Sequence, residues 1–164
     1  VPQFLRSTFY SWFAGSYNVN LSEIVDPIDS FPRFVDFFTR RIHPRPIDND
    51  PNVLVSPADS RVLSFSEVKG NEVLLVKKIN YDLIEFVTGR KQGTDEMVRR
   101  YLSDPEKNTL YSIIFYLSPG DYHRYHSSVD FEVQERTHIA GHLWPVKIDY
   151  VSSKKVNALQ IPYA

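Results

Sequence analysis

Ten residues from His43 to Asn52, HPRPIDNDPN, hold three prolines amid alternating charge, and they divide the chain into two differently patterned parts. Each proline lacks a backbone donor and collides with the carbonyl four residues earlier, so no helix passes through this stretch. It reads as an ordered connector. Ahead of it, Val1, Leu5, Phe9, Trp12 and Phe13 recur at helical spacing, with Phe4 beside them and Arg6 as the only charge before Glu23. That spacing predicts a helix with one broad aromatic face, which either packs on the domain's own core or rests in a membrane interface, where Trp and Phe favour the headgroup boundary. A second helix is expected over Phe31–Arg40, capped near Ser30, with Pro32 in its first turn and Phe34, Phe37 and Phe38 along it. Arg40 and Arg41 suit the negative end of its dipole.

Beyond the connector, Val53–Val55, Arg61–Val68, Glu72–Lys77, Leu110–Leu117 and Phe131–Ile139 read as short strands. Lys69-Gly70-Asn71 joins the second of these to the third. Asn80–Val87, with a cap at Asn80 and a stop at Gly89, and Thr94–Leu102 read as helices. The expected class is α+β: aromatic N-terminal helices, then a mostly antiparallel sheet carrying the site. Residues 1–41 form a helical, membrane-proximal segment in this division, and 42–164 a β-rich portion of one incomplete domain. At 42% hydrophobic and 14% aromatic, a chain of 164 residues has the material for a real core.

Charge narrows the function classes. Nineteen basic and 20 acidic residues leave a net charge of −1, so there is no global basic field to draw nucleic acid, and any anion site is local. The absence of cysteine removes disulfides, thiolate nucleophiles and cysteine-type zinc sites. No apolar run approaches the roughly 20 residues that span a bilayer. The stretch VPQFLRSTFYSWFAG has neither the basic n-region nor the continuous apolar core of a secretory signal.

Chemistry concentrates in Tyr116–His126, YLSPGDYHRYH, where the turn signal Ser118-Pro119-Gly120 closes an apolar strand and is followed by an acid, two imidazoles and a guanidinium. Upstream, PADS at Pro57–Ser60 supplies a second acidic turn. An Asp–His pairing between these segments is a way to activate a hydroxyl. Taken alone, Asp59 also reads as an Asx-type turn after Pro57, and Asp121 as a turn or capping acid. His123 and His126, three residues apart, share one face of the strand only if the turn curls. Two other sites use the same residues: a metal set of His123, His126, Asp59 and Asp121, and a serine hydrolase pairing Ser60, Ser127 or Ser128 with His126. The hydrolase lacks a G-x-S-x-G elbow. His43, His138 and His142 read as structural.

Taken together and in order, FVDFFTRRI at Phe34–Ile42, RPIDNDPNVLVSPADS at Arg45–Ser60 and YLSPGDYHRYH resemble the phosphatidylserine decarboxylases over nearly the whole chain. The resemblance implies a proenzyme that cuts itself before a serine, leaving a long β chain and a short α chain whose N-terminus is a pyruvoyl group. That group serves as the electron sink for loss of CO2 from phosphatidylserine, giving phosphatidylethanolamine. It further implies that Asp59 is the acid of the self-processing triad and His126 its base. His123 is expected to protonate the carbanion or contact substrate, with Tyr122 and Arg124 flanking it. Leu143, Trp144 and Val146, in IAGHLWPV at Ile139–Val146, are expected to line the headgroup pocket, and no metal is implied.

These residues contain no cleavage motif of the Leu-Gly-Ser-Thr or Leu-Gly-Ser-Ser type. The chain therefore reads as a β-chain fragment or truncated homologue, with the pyruvoyl (pyruvate) arising from a serine outside it. Its implied partners are the α chain or missing C-terminal part, phosphatidylserine, a membrane surface and a second copy in a homodimer. The implied location is the mitochondrial inner membrane, an endomembrane or the bacterial inner membrane. A non-catalytic lipid- or partner-binding relative of the same fold is the alternative. Two positions depart from the family pattern: Ser60 stands where glycine usually follows the PAD acid, and Gly120 where a basic residue commonly precedes the Asp of DYH. Ser60 adds a side chain to a tight turn beside Asp59.

Overall fold

The computed structural model describes residues 2–75, 79–89, 93–134, 136 and 138. Two compact units make up the chain: Val1–Arg61 with Phe115–Glu132, and Val62–Ile114 with the residues from Val133 onward. The architecture is α+β, with N-terminal helices followed by paired strands.

In the first unit, helix α1 (Arg6–Tyr17) follows a single 3-10 turn and carries the aromatic stripe. Tyr10, Phe13 and Ala14 face inward and form the core with Val19, Phe31 and Phe37. Phe9, Trp12 and Tyr17 lie around that face, and Phe4 and Trp12 stay exposed at 80% and 62%. The helix ends at Asn18, which takes the left-handed conformation (φ 55) that Asn tolerates better than most side chains. This reversal lets the Val19 N–H reach the Ala14 carbonyl at 2.9 Å and tucks Val19 under the helix.

The second helix is shorter than its sequence pattern. Ser30 belongs to a preceding 3-10 turn, where its hydroxyl donates to the Pro27 carbonyl at 2.6 Å, so it does not cap. Helix α2 (Phe34–Phe38) starts instead at Arg33, whose backbone N–H and guanidinium both donate to Asp36. Phe37 is fully buried and stacks on Tyr10, with ring centroids 5.0 Å apart and planes 10° from parallel. Burial of such a ring contributes about 1.5–3 kcal/mol. An antiparallel bridge between Ile24 and Ile42 then ties the exit from α2 back to the start of the chain.

Strand β1 (Arg61–Glu67) pairs with strand β4 (Tyr111–Tyr116), and in the second unit β2 (Glu72–Leu75) pairs antiparallel with β3 (Ile79–Asp82). Lys69-Gly70-Asn71 thus joins β1 to β2 without making them neighbours in a hairpin. The helix expected from Asn80 begins at Leu83: Asn80 to Asp82 extend β3, and the Asp82 carboxylate caps helix α3 (Leu83–Thr88) by accepting from the Glu85 N–H at 2.7 Å. Gly89 stops it at φ 69. Helix α4 (Asp95–Arg99) is capped by Thr94.

Two expected strands do not form among the described residues. Residues 53–55 are irregular, because Pro51 and Pro57 bracket them and break any ladder on both sides. Residues 131–134 are irregular and exposed, and their apolar alternation meets no partner strand among the described residues. Residues 139–164, with His142, Leu143, Trp144 and Val146, lie outside the described residues.

Candidate active site

The site lies in the first unit, where the loop after β4 meets α2 and the segment before β1. Ser118 to Asp121 form a tight turn: the Asp121 N–H donates to the Ser118 carbonyl at 2.9 Å, and its carboxylate accepts from the Ser118 N–H at 2.6 Å. Asp121 is thus a turn acid. Gly120 is buried in this turn, and a Cβ there would sit 1.9 Å from the Tyr17 carbonyl oxygen, so the departure at position 120 is a packing requirement of α1.

Arg40 holds the turn from below. It is 3% exposed, and its Nη2 donates to the carbonyls of Gly120 at 2.8 Å and Asp121 at 3.2 Å, with the guanidinium 5.8 Å from the Phe37 ring centroid. The side chain therefore does not serve the α2 dipole. Arg41 pairs with Asp26 instead. Burial pushes the Arg40 pKa down, and the charges of Asp121, Glu23 and Asp59 oppose that. Guanidinium stays protonated in any case.

The same Asp121 carbonyl also engages His123 Nδ1 at 2.9 Å. A carbonyl only accepts, so Nδ1 carries the proton and the neutral ring keeps its lone pair on Nε2. Half-buried, the ring packs on Phe38 with centroids 3.8 Å apart. Burial, and secondarily the Arg40 charge, push its pKa below the ordinary histidine value.

His126 belongs to a different set of contacts. Its backbone N–H donates to the Pro57 carbonyl at 2.8 Å, which joins the DYHRYH loop to the PADS turn. The buried Tyr122 places its hydroxyl 2.9 Å from His126 Nε2, with the rings nearly parallel. Asp59 is engaged elsewhere: its Oδ1 accepts from Arg45 Nη1 at 2.6 Å, and Arg45 Nη2 donates to Glu23 at 2.6 Å. Among the described residues no hydrogen bond joins Asp59 to His126. Their segments meet through the backbone, and among the described residues no hydrogen bond reaches Asp59 Oδ2.

The other sequence readings find no geometry. Among the described residues no three His, Asp or Glu side chains converge as metal ligands. Ser60 donates to the Ala58 carbonyl and Ser127 to the Val129 carbonyl, so neither hydroxyl meets His126. Residue reasoning missed Arg40, Arg45, Glu23 and Phe38. The signal for three of them was present, since Arg40 and Phe38 lie in FVDFFTRRI and Arg45 opens RPIDNDPN.

One imidazole tied to a backbone carbonyl, a second held by a phenol, and a carboxylate on the segment joined to it through the backbone are thus gathered on an α+β frame. Residues 34–161 match the family model described as phosphatidylserine decarboxylase. The mitochondrial phosphatidylserine decarboxylase proenzyme of Rattus norvegicus is 34% identical over 89% of this chain and 39% of its own length. Proenzyme 1, mitochondrial, of Oryza sativa subsp. japonica is 32% identical over 88% of the chain and 41% of its own length, and the proenzyme of Hahella chejuensis is 33% identical over 87% and 46%. The chain belongs to the phosphatidylserine decarboxylase family. It spans less than half the length of these curated relatives.

Two outcomes follow from the geometry. Replacing Arg40 with Ala strips a charged donor from two carbonyls and should cost about 2–4 kcal/mol in urea unfolding. Arg40→Lys should recover only part of this, because an ammonium lacks the planar fork; a loss under about 0.5 kcal/mol in Arg40→Ala would mean the clamp carries nothing. For His123, NMR titration should place the midpoint below the ordinary value of about 6.5. A histidine with a depressed folded pKa binds its proton less readily than the unfolded chain does, so its contribution is complete above about pH 6.5 and is lost as pH falls through the folded midpoint. A midpoint at or above that value would refute the neutral, Arg40-facing ring.

Proposed function

We propose that this chain is the β-chain region of a pyruvoyl-dependent phosphatidylserine decarboxylase, which converts phosphatidylserine to phosphatidylethanolamine after self-cleavage. The observation that carries this reading is the hydrogen bond from the His126 N–H to the Pro57 carbonyl, because it brings the two acid- and histidine-bearing motifs side by side. In self-processing, His126 is the base that takes the proton of the serine hydroxyl, and Asp59 orients and offsets the charge of the imidazolium. Tyr122 fixes the His126 ring, and Arg45 fixes the Asp59 carboxylate while leaving Oδ2 for the histidine.

The prosthetic group, borne by the α part, supplies the electron sink. The residues here fit it through their proton chemistry: His123 keeps Nδ1–H tied to the Asp121 carbonyl and presents Nε2 to receive or return a proton at the reacting carbon. Its lowered pKa keeps it neutral near pH 7. The engagement of Asp59 by Arg45 favours a second reading, a lipid-binding relative that no longer processes itself.

Relatives named as mitochondrial and bacterial proenzymes, together with the exposed Phe4, Leu5 and Trp12, support a location at a membrane surface. Among the described residues no helix is long and apolar enough to cross a bilayer.

In the full-length proenzyme, Asp59→Asn and His126→Ala should each leave a single uncut chain on a denaturing gel. Normal cleavage in both variants removes the processing assignment, and an uncut wild-type chain selects the non-catalytic relative. For the membrane contact, Phe4→Glu with Trp12→Glu should weaken sedimentation with anionic vesicles at least tenfold. Both side chains are exposed, so the core is spared, and unchanged binding would place the contact elsewhere.

A further inference from the structure

Among the described residues, three arginines of the first unit pair with aspartates, and they do so in two ways. Arg41 and Arg33 each turn the Nε–Nη2 edge of the guanidinium to a carboxylate and hold both oxygens, of Asp26 and of Asp36. Arg45 instead presents its Nη1–Nη2 end and divides it. Nη1 donates to Asp59 Oδ1 at 2.6 Å, and Nη2 to Glu23 Oε2 at 2.6 Å. An edge of a guanidinium matches the two oxygens of one carboxylate, so bidentate capture of Asp59 is open to Arg45 as soon as its second donor is released. Glu23 takes that donor. Asp59 is thereby held at one oxygen.

The backbone fixes Glu23 in this place. Its carbonyl accepts from the His43 N–H at 2.8 Å, Ile24 bridges to Ile42, and the Val25 N–H donates to the Arg41 carbonyl at 3.1 Å. This short ladder sets residue 23 beside the segment that carries Arg45. On the other side of the fork, the PADS turn is tied to the His126 backbone through Pro57. All three side chains are partly exposed, so neither ion pair adds much stability, and what the pairs fix is orientation.

We infer that Glu23 is a positioning residue for self-processing: it keeps the Arg45 fork divided, so that Asp59 offers Oδ2 to His126 instead of being closed into a bidentate pair. That role rests on the decarboxylase reading above, in which Asp59 and His126 act on the serine hydroxyl. Glu23 acts only through Arg45, and its loss has the same consequence as a misplaced acid.

The rate of self-cleavage of the full-length proenzyme, followed on a denaturing gel, tests this role. Glu23→Ala releases Nη2 to Asp59 and should slow cleavage about tenfold or more, the size of effect that a small misplacement of a catalytic group produces. Glu23→Gln keeps a neutral acceptor on Nη2 and should slow it less. In an Arg45→Lys background, Glu23→Ala should change the rate by less than about twofold, because an ammonium has no fork to close. A merely structural role of Glu23 would carry over unchanged into that background. The ladder uses the backbone of residue 23, so the variants should fold; if Glu23→Ala does not, Glu23→Gln in the two backgrounds makes the same comparison. Cleavage at the wild-type rate in Glu23→Ala, or equal slowing with Arg45 and with Arg45→Lys, overturns the positioning role. Wild type and Asp59→Asn judge the reading beneath it. An uncut wild type, or normal cleavage in Asp59→Asn, removes the processing role of Asp59 and that of Glu23 together. A cut wild type and an uncut Asp59→Asn beside an unaltered Glu23→Ala remove the role of Glu23 alone.

Discussion

One buried guanidinium organises the candidate site. Arg40 leaves the C-terminal end of α2 and donates to two consecutive carbonyls of the turn after β4, Gly120 and Asp121. A charge this buried is maintained only by well-placed acceptors, so the turn and the helix specify each other's position. The aromatic core makes the arrangement rigid: Phe37 lies beneath the guanidinium and stacks on Tyr10, and Phe38 of the next position carries the His123 ring. The role of the N-terminal aromatic residues is therefore divided. Tyr10, Phe13, Phe34 and Phe37 build the platform, while Phe4 and Trp12 face outward.

That platform also sets the electrostatics. The Asp121 carbonyl receives both Arg40 and His123, and two donors converging on one oxygen leave the imidazole close to a fixed positive charge. Burial and this charge act in the same direction on His123, against its protonation. The acid Asp121 sits in the same turn but spends its carboxylate on the Ser118 N–H, which limits how far it can offset them. The lowered pKa of His123 is thus a consequence of how the turn is held.

Much of this was legible in the residues, and the misses have physical causes. The aromatic stripe gave α1, and Ser118-Pro119-Gly120 gave the turn, since both are local patterns with few alternatives. Asn80 and Ser30 were plausible caps that lost to Asp82 and Arg33–Asp36, because helix starts depend on neighbours a few residues away. The apolar alternation at 131–134 has the period of a strand, but a strand needs a partner and that is a tertiary matter. Arg40 could be read as complementing a helix dipole because no local pattern tells a solvated arginine from one that reaches a carbonyl 80 residues away. Gly120 is similar: its requirement comes from the Tyr17 carbonyl across the core.

The pairing of Asp59 with Arg45 bears most directly on how the site acts. Both side chains are partly solvated, at 35% and 42% exposure, and an ion pair of that kind contributes about 0–1 kcal/mol. Such a contact orients a carboxylate without locking it. Glu23, on the other fork of Arg45, offers the guanidinium an alternative acid, so transfer of Asp59 toward a histidine does not strand a positive charge. His126 meanwhile keeps its backbone pinned to Pro57 and its ring against the Tyr122 hydroxyl. The backbones of the two motifs are therefore joined directly, while the Asp59 carboxylate and the His126 ring are each held by a separate partner, Arg45 and Tyr122.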